Sequence, residues 1–407
     1  MTEQSYPSVE EILTDLQVEF EGVDQNLADF TIETVRLGES LLTPGLQTSI
    51  TVHSYRHNMP PKDLNAFKNK LVSIKLTKDL LKKYNLPHEM KLTQRIYRVE
   101  NRQNINTAVE SYTIRACDDT LLNDALSLVS KSWKCTSPSE IVGYVLQSCA
   151  GSRSMDIERS DPARDYIAEN IHPFQVVAQQ ANVSLAEGND PSFVHYMTYQ
   201  NMGTHHFRSL KTLSQQSPVM TFFETETGIV AGFGFPFSIM AYSFPCDFDL
   251  LSDVLNGIST GGKDINSIVV FNPRDGNFSL VGDQTLGCGI GQGVLKIAQT
   301  NTNSEGDQDT CNMGVEKYLL KRQARMSLLE RDKIALRLTV PFSPILNAGK
   351  VIEIDLMNKD ALGDNIKVPV YGSGKYLILN MFHEVRKGGY ATTTMDCVAV
   401  TVGSGEV

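Results

Sequence analysis

Apolar residues recur at every second position through much of this chain. In 29–37 (DFTIETVRL) and 46–55 (LQTSITVHSY) they alternate with polar ones, Leu46, Thr48, Ile50 and Val52 standing against Gln47, Ser49, Thr51 and His53. A period of two sends alternate side chains to opposite faces of a strand. The same period predicts strands over 71–77, 90–99 and 108–117, with turns at Thr43-Pro44-Gly45 and Pro60-Pro61. Short strands at this spacing predict a β-barrel or sandwich over about 28–117. Ahead of them, Ser8 and Glu11 stand at capping-box spacing and predict a short helix or arm over 8–20.

Beyond 117 the period lengthens. Residues 118–130 place Leu122, Ala125, Leu126 and Val129 on one helical face. In 137–151 (SPSEIVGYVLQSCAG) Ser137 can cap a helix, Pro138 suits its first turn and Glu140 completes the box. Ile141, Tyr144, Val145 and Cys149 form its apolar stripe, and Gly151 ends it. Residues 172–184 repeat the pattern with Phe174, Val177, Ala178 and Ala181. Strands return from 191, followed by a glycine-rich, irregular stretch over 228–313 whose polar run 299–310 reads as a loop. An amphipathic helix is predicted over 314–332, with Val315, Tyr318, Leu319, Met326 and Leu329 near one face. The closing segments 333–342, 350–356, 376–385 and 390–401 all read as strands.

Helices thus lie between two strand groups and do not alternate with single strands, which predicts an α+β chain containing two β-barrels. The division expected is an N-terminal arm or short helix (1–27), a first β-barrel (28–117) and a helical linking domain (118–190). A second barrel follows, built from 191–227 with 333–402, and an insertion (228–332) ends in the long helix.

The length of 407 residues allows two or three domains, and the net charge of −10 argues against a protein that coats nucleic acid. The seven cysteines are scattered and form no C-x-x-C, which fits free, mostly buried thiols in a reducing cytosol. The opening MTEQSYPSVEEIL carries acids where a signal peptide needs a basic start. The uncharged run 227–246 is long enough to span a bilayer, but Gly228, Gly232, Gly234, Pro236 and Pro245 interrupt it. It reads as a buried loop or a protein contact, not a membrane span. Phe233, Phe235, Phe237 and Met240 are its candidate interface residues.

Several stretches resemble chemical motifs and fail on spacing. Gly372-Ser373-Gly374-Lys375 is not a phosphate loop: Pro369 stands where its first glycine belongs, Tyr376 replaces the hydroxyl residue, and a strand follows. The glycines at 287, 289, 291 and 293 do not fit a dinucleotide loop. His205 and His206 are adjacent on a strand and must diverge, and so must His383 and Glu384, which makes His383 a polar residue at a strand end or interface. No nucleophile has the G-x-S-x-G context. No catalytic, metal or cofactor site is therefore assigned. The stretch 62–98 is locally basic, with Lys75, Lys91, Arg95 and Arg98 among its cations. It is either a solvated face or a docking surface for an acidic partner.

The C-terminal strands carry a family resemblance. LTVPFSPILNAGKVIEIDL, followed by GSGKYLILNMFHEVRKGGYATTTMDCVAV, resembles the closing strands of baseplate hub proteins of contractile-tailed phages, the T-even-type hub and the late-control D family. The matching features are the Asn347-Ala348-Gly349 turn, a strand bearing Gly374, Tyr376 and His383, and a last strand of alternating Thr and apolar residues. LLTPGLQTSITV, with Pro44 and Gly45, is similar to a first-barrel hairpin of such hubs. IHPFQVVAQQANVSL, with Pro173 and Phe174, is similar to their linking helix. The resemblance implies a non-enzymatic homotrimer in the virion tail baseplate, assembled in the host cytoplasm. Its ring of six-fold-like symmetry would join the tail tube protein to the central spike protein. Wedge proteins and the tape-measure protein would be further partners, and DNA would only pass through the lumen. Two other classes stay open for a β-rich chain: a phage-encoded cell-wall hydrolase, and a carbohydrate- or receptor-binding protein.

Overall fold

The computed structural model describes residues 14–22, 30–55, 67–107, 109–224, 236–245, 265–272, 277–282, 292–297, 335–356 and 372–402, with single positions at 311, 315, 318, 322, 325, 326 and 329. The first strand group comprises β1 (Asp15–Phe20), β2 (Phe30–Ser40), β3 (Gln47–Tyr55), β4 (Leu71–Thr77), β5 (Glu89–Asn104) and β6 (Val109–Cys117), with the short α1 (Leu80–Lys83) after β4. All pair antiparallel, in the order β1-β4-β5-β6-β3-β2. Alternation sets the buried face: Val35 and Leu37, Ile50 and Val52, Val72 and Ile74 enter one core. Of the segment 8–20 expected as a short helix or arm, residues 8–13 lie outside the described residues and Asp15–Phe20 form β1. Val18 and Phe20 are buried there while Asp15, Gln17 and Glu19 are exposed or half-exposed, so period two prevails.

The middle of the chain packs separately. It runs α2 (Asp119–Leu126), β7 (Val129–Thr136), α3 (Pro138–Ser148), β8 (Met155–Ile157), β9 (Arg164–Ile171), α4 (Pro173–Val183), β10 (Phe193–Thr198), β11 (Thr204–Ser209) and α5 (Leu210–Ser214). The helix expected over 118–130 stops at Leu126, because Val129 turns inward as the first residue of β7. The helix expected after Ser137 forms with its full capping box: Ser137 Oγ accepts the Glu140 N–H at 3.3 Å and Glu140 Oε2 accepts the Ser137 N–H at 3.4 Å. Ser137→Ala should therefore cost about 1 kcal/mol in urea unfolding, and Ser137→Asp should keep most of the stability. Ile141, Val142 and Val145 of α3 meet Val176 and Val177 of α4 in a core of their own.

The last strands are β12 (Thr221–Phe223), β13 (Ala241–Ser243), β14 (Ile265–Asn272), β15 (Asn277–Gly282), β16 (Gln292–Ile297), β17 (Leu336–Pro341), β18 (Val351–Asp355), β19 (Gly374–Arg386) and β20 (Ala391–Val402). Strands β14–β16 make a small sheet by themselves. The others continue the first group, so the two expected barrels are replaced by one open 12-stranded sheet in the order β1-β4-β5-β6-β3-β2-β19-β20-β17-β13, with β18 and β12 branching from β19. The correction has a simple cause. β2 spends its free edge on β19, joining the two groups, and neither group is left with that edge to close on itself. Two apolar cores persist on the one sheet, the second around Leu336, Leu338, Ile352, Ile378 and Met395.

The expectation of free thiols also needs correcting. Cys135 and Cys311 form a disulfide with a Cα–Cα distance of 5.4 Å across a sequence separation of 176 residues. Cys117, Cys149 and Cys397 are free.

Candidate functional site

The two strand groups are spliced at β19. One edge of this strand carries two partners in succession: Gly374–Leu377 pair with Val351–Ile354 of β18, and Asn380–Arg386 pair with Thr34–Ser40 of β2. Its other edge holds β20 throughout, with a register shift between Ile378 and Asn380 where the partners change. At that change Leu41 N–H donates to Leu379 O at 2.9 Å, and Gly349 N–H donates to Ile378 O at 2.9 Å. The splice is thus the meeting point of β2, β19 and the Asn347–Gly349 turn.

A buried carboxylate stands at its centre. Val35, Leu37 and Glu39 share the inward face of β2, and Glu39 is only 4% exposed. It accepts the Tyr199 N–H at 2.6 Å, the Ala348 N–H at 2.7 Å and the Asn347 side-chain amide at 3.1 Å. Three chain segments therefore converge on one side chain: β2, the loop after β10, and the turn between β17 and β18. Burial pushes the Glu39 carboxyl up from 4.5 to about 7, against the opposite pull of its three N–H donors. Tyr199 fixes the loop from the other end, its hydroxyl donating to Gln47 O at 3.0 Å.

Of the residues singled out by sequence, Gly349 belongs to this site. Its backbone has φ +81°, and a Cβ there would lie 2.5 Å from Tyr196 Oη. Gly374 begins β19, and the Tyr376 hydroxyl donates to Gly372 O at 2.7 Å, closing the glycine turn over itself. His383 is not at a strand end or an interface: it is fully buried, between Met381 of the second core and Val385 of the first. Its Nδ1 is 2.8 Å from Thr393 Oγ1 and its ring stands edge-on to Phe342 at 4.9 Å. Glu384 takes the opposite side, held by Arg36 and by Arg386. Gly45 lies against Leu121 of α2, and Pro173 opens α4. Phe174 covers the buried pair His195 and His205, at ring distances of 5.2 and 5.5 Å. Phe233 and Phe235 lie outside the described residues. Phe237 packs at the margin of the second core and Met240 is half-buried.

Glu39, Tyr196 and Tyr199 were missed by sequence reasoning. The alternation of β2 does point to Glu39, since it follows Val35 and Leu37 in phase.

The neighbouring strand histidines find protein partners. His205 Nδ1 lies 3.1 Å from His195 Nε2, and His205 Nε2 lies 2.9 Å from Thr120 Oγ1. His206 points the other way, to Asp156 and Thr198, each at 3.0 Å. Part of the basic stretch is paired with acids. Lys91 pairs with Glu89, Arg95 with Asp119 at 2.7 Å, and Arg98 and Arg115 both with Glu100. Exposed pairs of this kind add little stability but do cancel a one-sign field.

The fold is similar to those of two solved tail proteins. The chain is similar to the tail protein from Neisseria meningitidis MC58 at TM-score 0.55, with 11% identity, 94% of this chain and 96% of that one covered. It is similar to the 43 kDa tail protein of prophage MuSo2 from Shewanella oneidensis at TM-score 0.53, with 8% identity, 95% and 98% covered. An E. coli component of the type VI secretion system matches at TM-score 0.47, with 11% identity, 94% and 76% covered. No family model matches the sequence, and no curated protein does.

Proposed function

We propose that the chain is a structural tail protein that works as a baseplate hub. Three copies would form a ring of six-fold-like symmetry that joins a hexameric tail tube to a trimeric central spike and lets DNA pass once the spike is released. The reading assigns the chain no catalysis. The observation that carries it is the end-to-end correspondence of fold with two tail proteins, which leaves little of either partner chain unmatched. The net charge of −10 suits a channel that must not hold DNA.

The test is the purified protein in sedimentation velocity and negative-stain imaging, alone and with a central spike protein from the same source. A trimer, seen as a three-fold ring around a central hole, is the expected result. A chain that stays monomeric in both conditions sinks the hub reading, and digestion of purified cell wall by the protein alone would favour a hydrolase.

A further inference from the structure

Cys117 and Cys397 are buried, and burial raises their thiols, that of Cys117 to about 12. Cys135 is presented differently. In the β7–β9 ladder Trp133 pairs with Tyr166 and Thr136 with Arg164, so Lys134 and Cys135 stand opposite the single residue Asp165. This bulge turns Cys135 out to the surface at φ +47°, a left-handed backbone that a residue with a Cβ seldom adopts. The Cys135 N–H donates to Asp165 Oδ1 at 2.8 Å and fixes the bulge. Its sulfur is bonded to that of Cys311, which is half-buried. The chain beyond Cys311 is anchored by other means. Arg322 donates to Ala181 O at 3.0 Å, to Pro191 O at 2.7 Å and to Asn182 Oδ1 at 2.8 Å, and Leu329 enters a core with Val194 and Leu377. Among the described residues β7 and β9 form a sheet of two strands, in which only Val129, Arg164 and Ala168 are buried. Such a ribbon is marginal in water. The disulfide therefore ties the irregular end of a weak ribbon to a chain segment that is fixed independently.

We propose that Cys135 and Cys311 are a site of thiol–disulfide exchange that clasps the β7–β9 ribbon, with small-molecule disulfides of the glutathione class as its oxidant. In a reducing compartment the pair stands as two thiols, and the ribbon is held by its own contacts alone. The exposed Cys135, as thiolate, attacks one sulfur of the small disulfide, forms a mixed disulfide and expels one thiolate. The Cys311 thiolate then attacks the Cys135 sulfur, closes the bond and expels the second. Two protein thiols lose two electrons and two protons, and the small disulfide leaves as two thiols. Reduction runs the same steps backwards. Arg322 and Leu329 keep the neighbouring chain docked in both states, so Cys311 stays within reach of Cys135. The closed bond spans a sequence separation of 176 residues, and cross-links over long loops restrict the opened chain most. The clasp is a property of the ribbon and holds whether or not the chain is a hub.

The test reduces the full chain with dithiothreitol, equilibrates it in mixtures of reduced and oxidised glutathione, quenches with acid, alkylates and maps the cysteines by mass spectrometry. Oxidised glutathione should yield a peptide pair joined through Cys135 and Cys311, and reduced glutathione should return both as thiols. Hydrogen exchange over 129–136 and 164–171 should rise about tenfold or more on reduction, while the Leu41 and Gly349 amides of the splice stay unchanged. Cys311→Ser in oxidised glutathione should match the reduced wild type, and Cys135→Ser serves if that variant does not fold. Absence of the joined peptides at every glutathione ratio overturns the exchange site. Exchange of the ribbon that is the same in both states, or that rises equally at the splice, overturns the clasp.

Discussion

Gly349→Ala should destabilise the protein by about 3 kcal/mol or more, a large effect for one added methyl group. Two terms contribute. The backbone at φ +81° lies in the left-handed region, which costs a residue with a Cβ about 1–2 kcal/mol. The new Cβ would also stand 2.5 Å from Tyr196 Oη and 2.8 Å from Cζ, so the ring itself must move and not only its hydroxyl. Tyr196 has little room to give. It stacks on His206 at 4.8 Å, and His206 is bonded to Asp156 and Thr198. The two terms separate in a double-mutant cycle with Tyr196→Ala. In that background the steric term is gone, and Gly349→Ala should cost only about 1–2 kcal/mol. Equal costs in both backgrounds would mean that the close approach of turn and ring contributes nothing.

The same turn shows where local pattern ends and tertiary structure begins. The turn at Asn347-Ala348-Gly349 and the alternation that places Glu39 among Val35 and Leu37 are both readable within ten residues. Their meeting is not, because Ala348 and Glu39 are separated by 309 positions and Tyr199 and Glu39 by 160. Period two identifies the faces of a strand but leaves its neighbours open. That is why most strands of the main sheet could be anticipated while their assembly into one open sheet, in place of the two expected barrels, could not. The decisive pairing, Leu37 against His383, joins the two ends of the chain. Strands β7 and β9 escaped notice for a different reason. Their residues are mostly exposed on both faces, so no clean alternation marks them. Two acids that pair with the basic stretch, Glu100 and Asp119, lie outside it in sequence, so its charge could not be balanced from the stretch alone.

Acid should unfold the protein largely through its buried neutral histidines, His383 among them. Burial lowers His383 from 6.5 to about 3, and it lowers His205 to about 4 and His195 in the same direction. A depressed folded-state value means that the unfolded chain binds the extra proton. The stability concerned is complete above pH 6.5 and is lost as pH falls toward 3. For His383 alone that window corresponds to about 5 kcal/mol. Glu39 acts with the opposite sign between 4.5 and about 7, so the net loss should steepen below 4.5, where that offset ends and paired carboxylates held below their ordinary range, such as Glu100 and Glu384, add to the loss. His383→Gln isolates one of these terms. The amide can still meet Thr393 Oγ1, so the variant should fold, with some loss of stability at pH 7 from poorer packing against Phe342. Its profile against pH should be flatter than that of the wild type by up to one proton. Urea midpoints at pH 7, 5.5 and 4 would then converge and cross, leaving the variant the more stable protein in acid. Parallel profiles would instead mean that the His383 ring accepts its proton while still folded, and that the splice between the two cores is open to water.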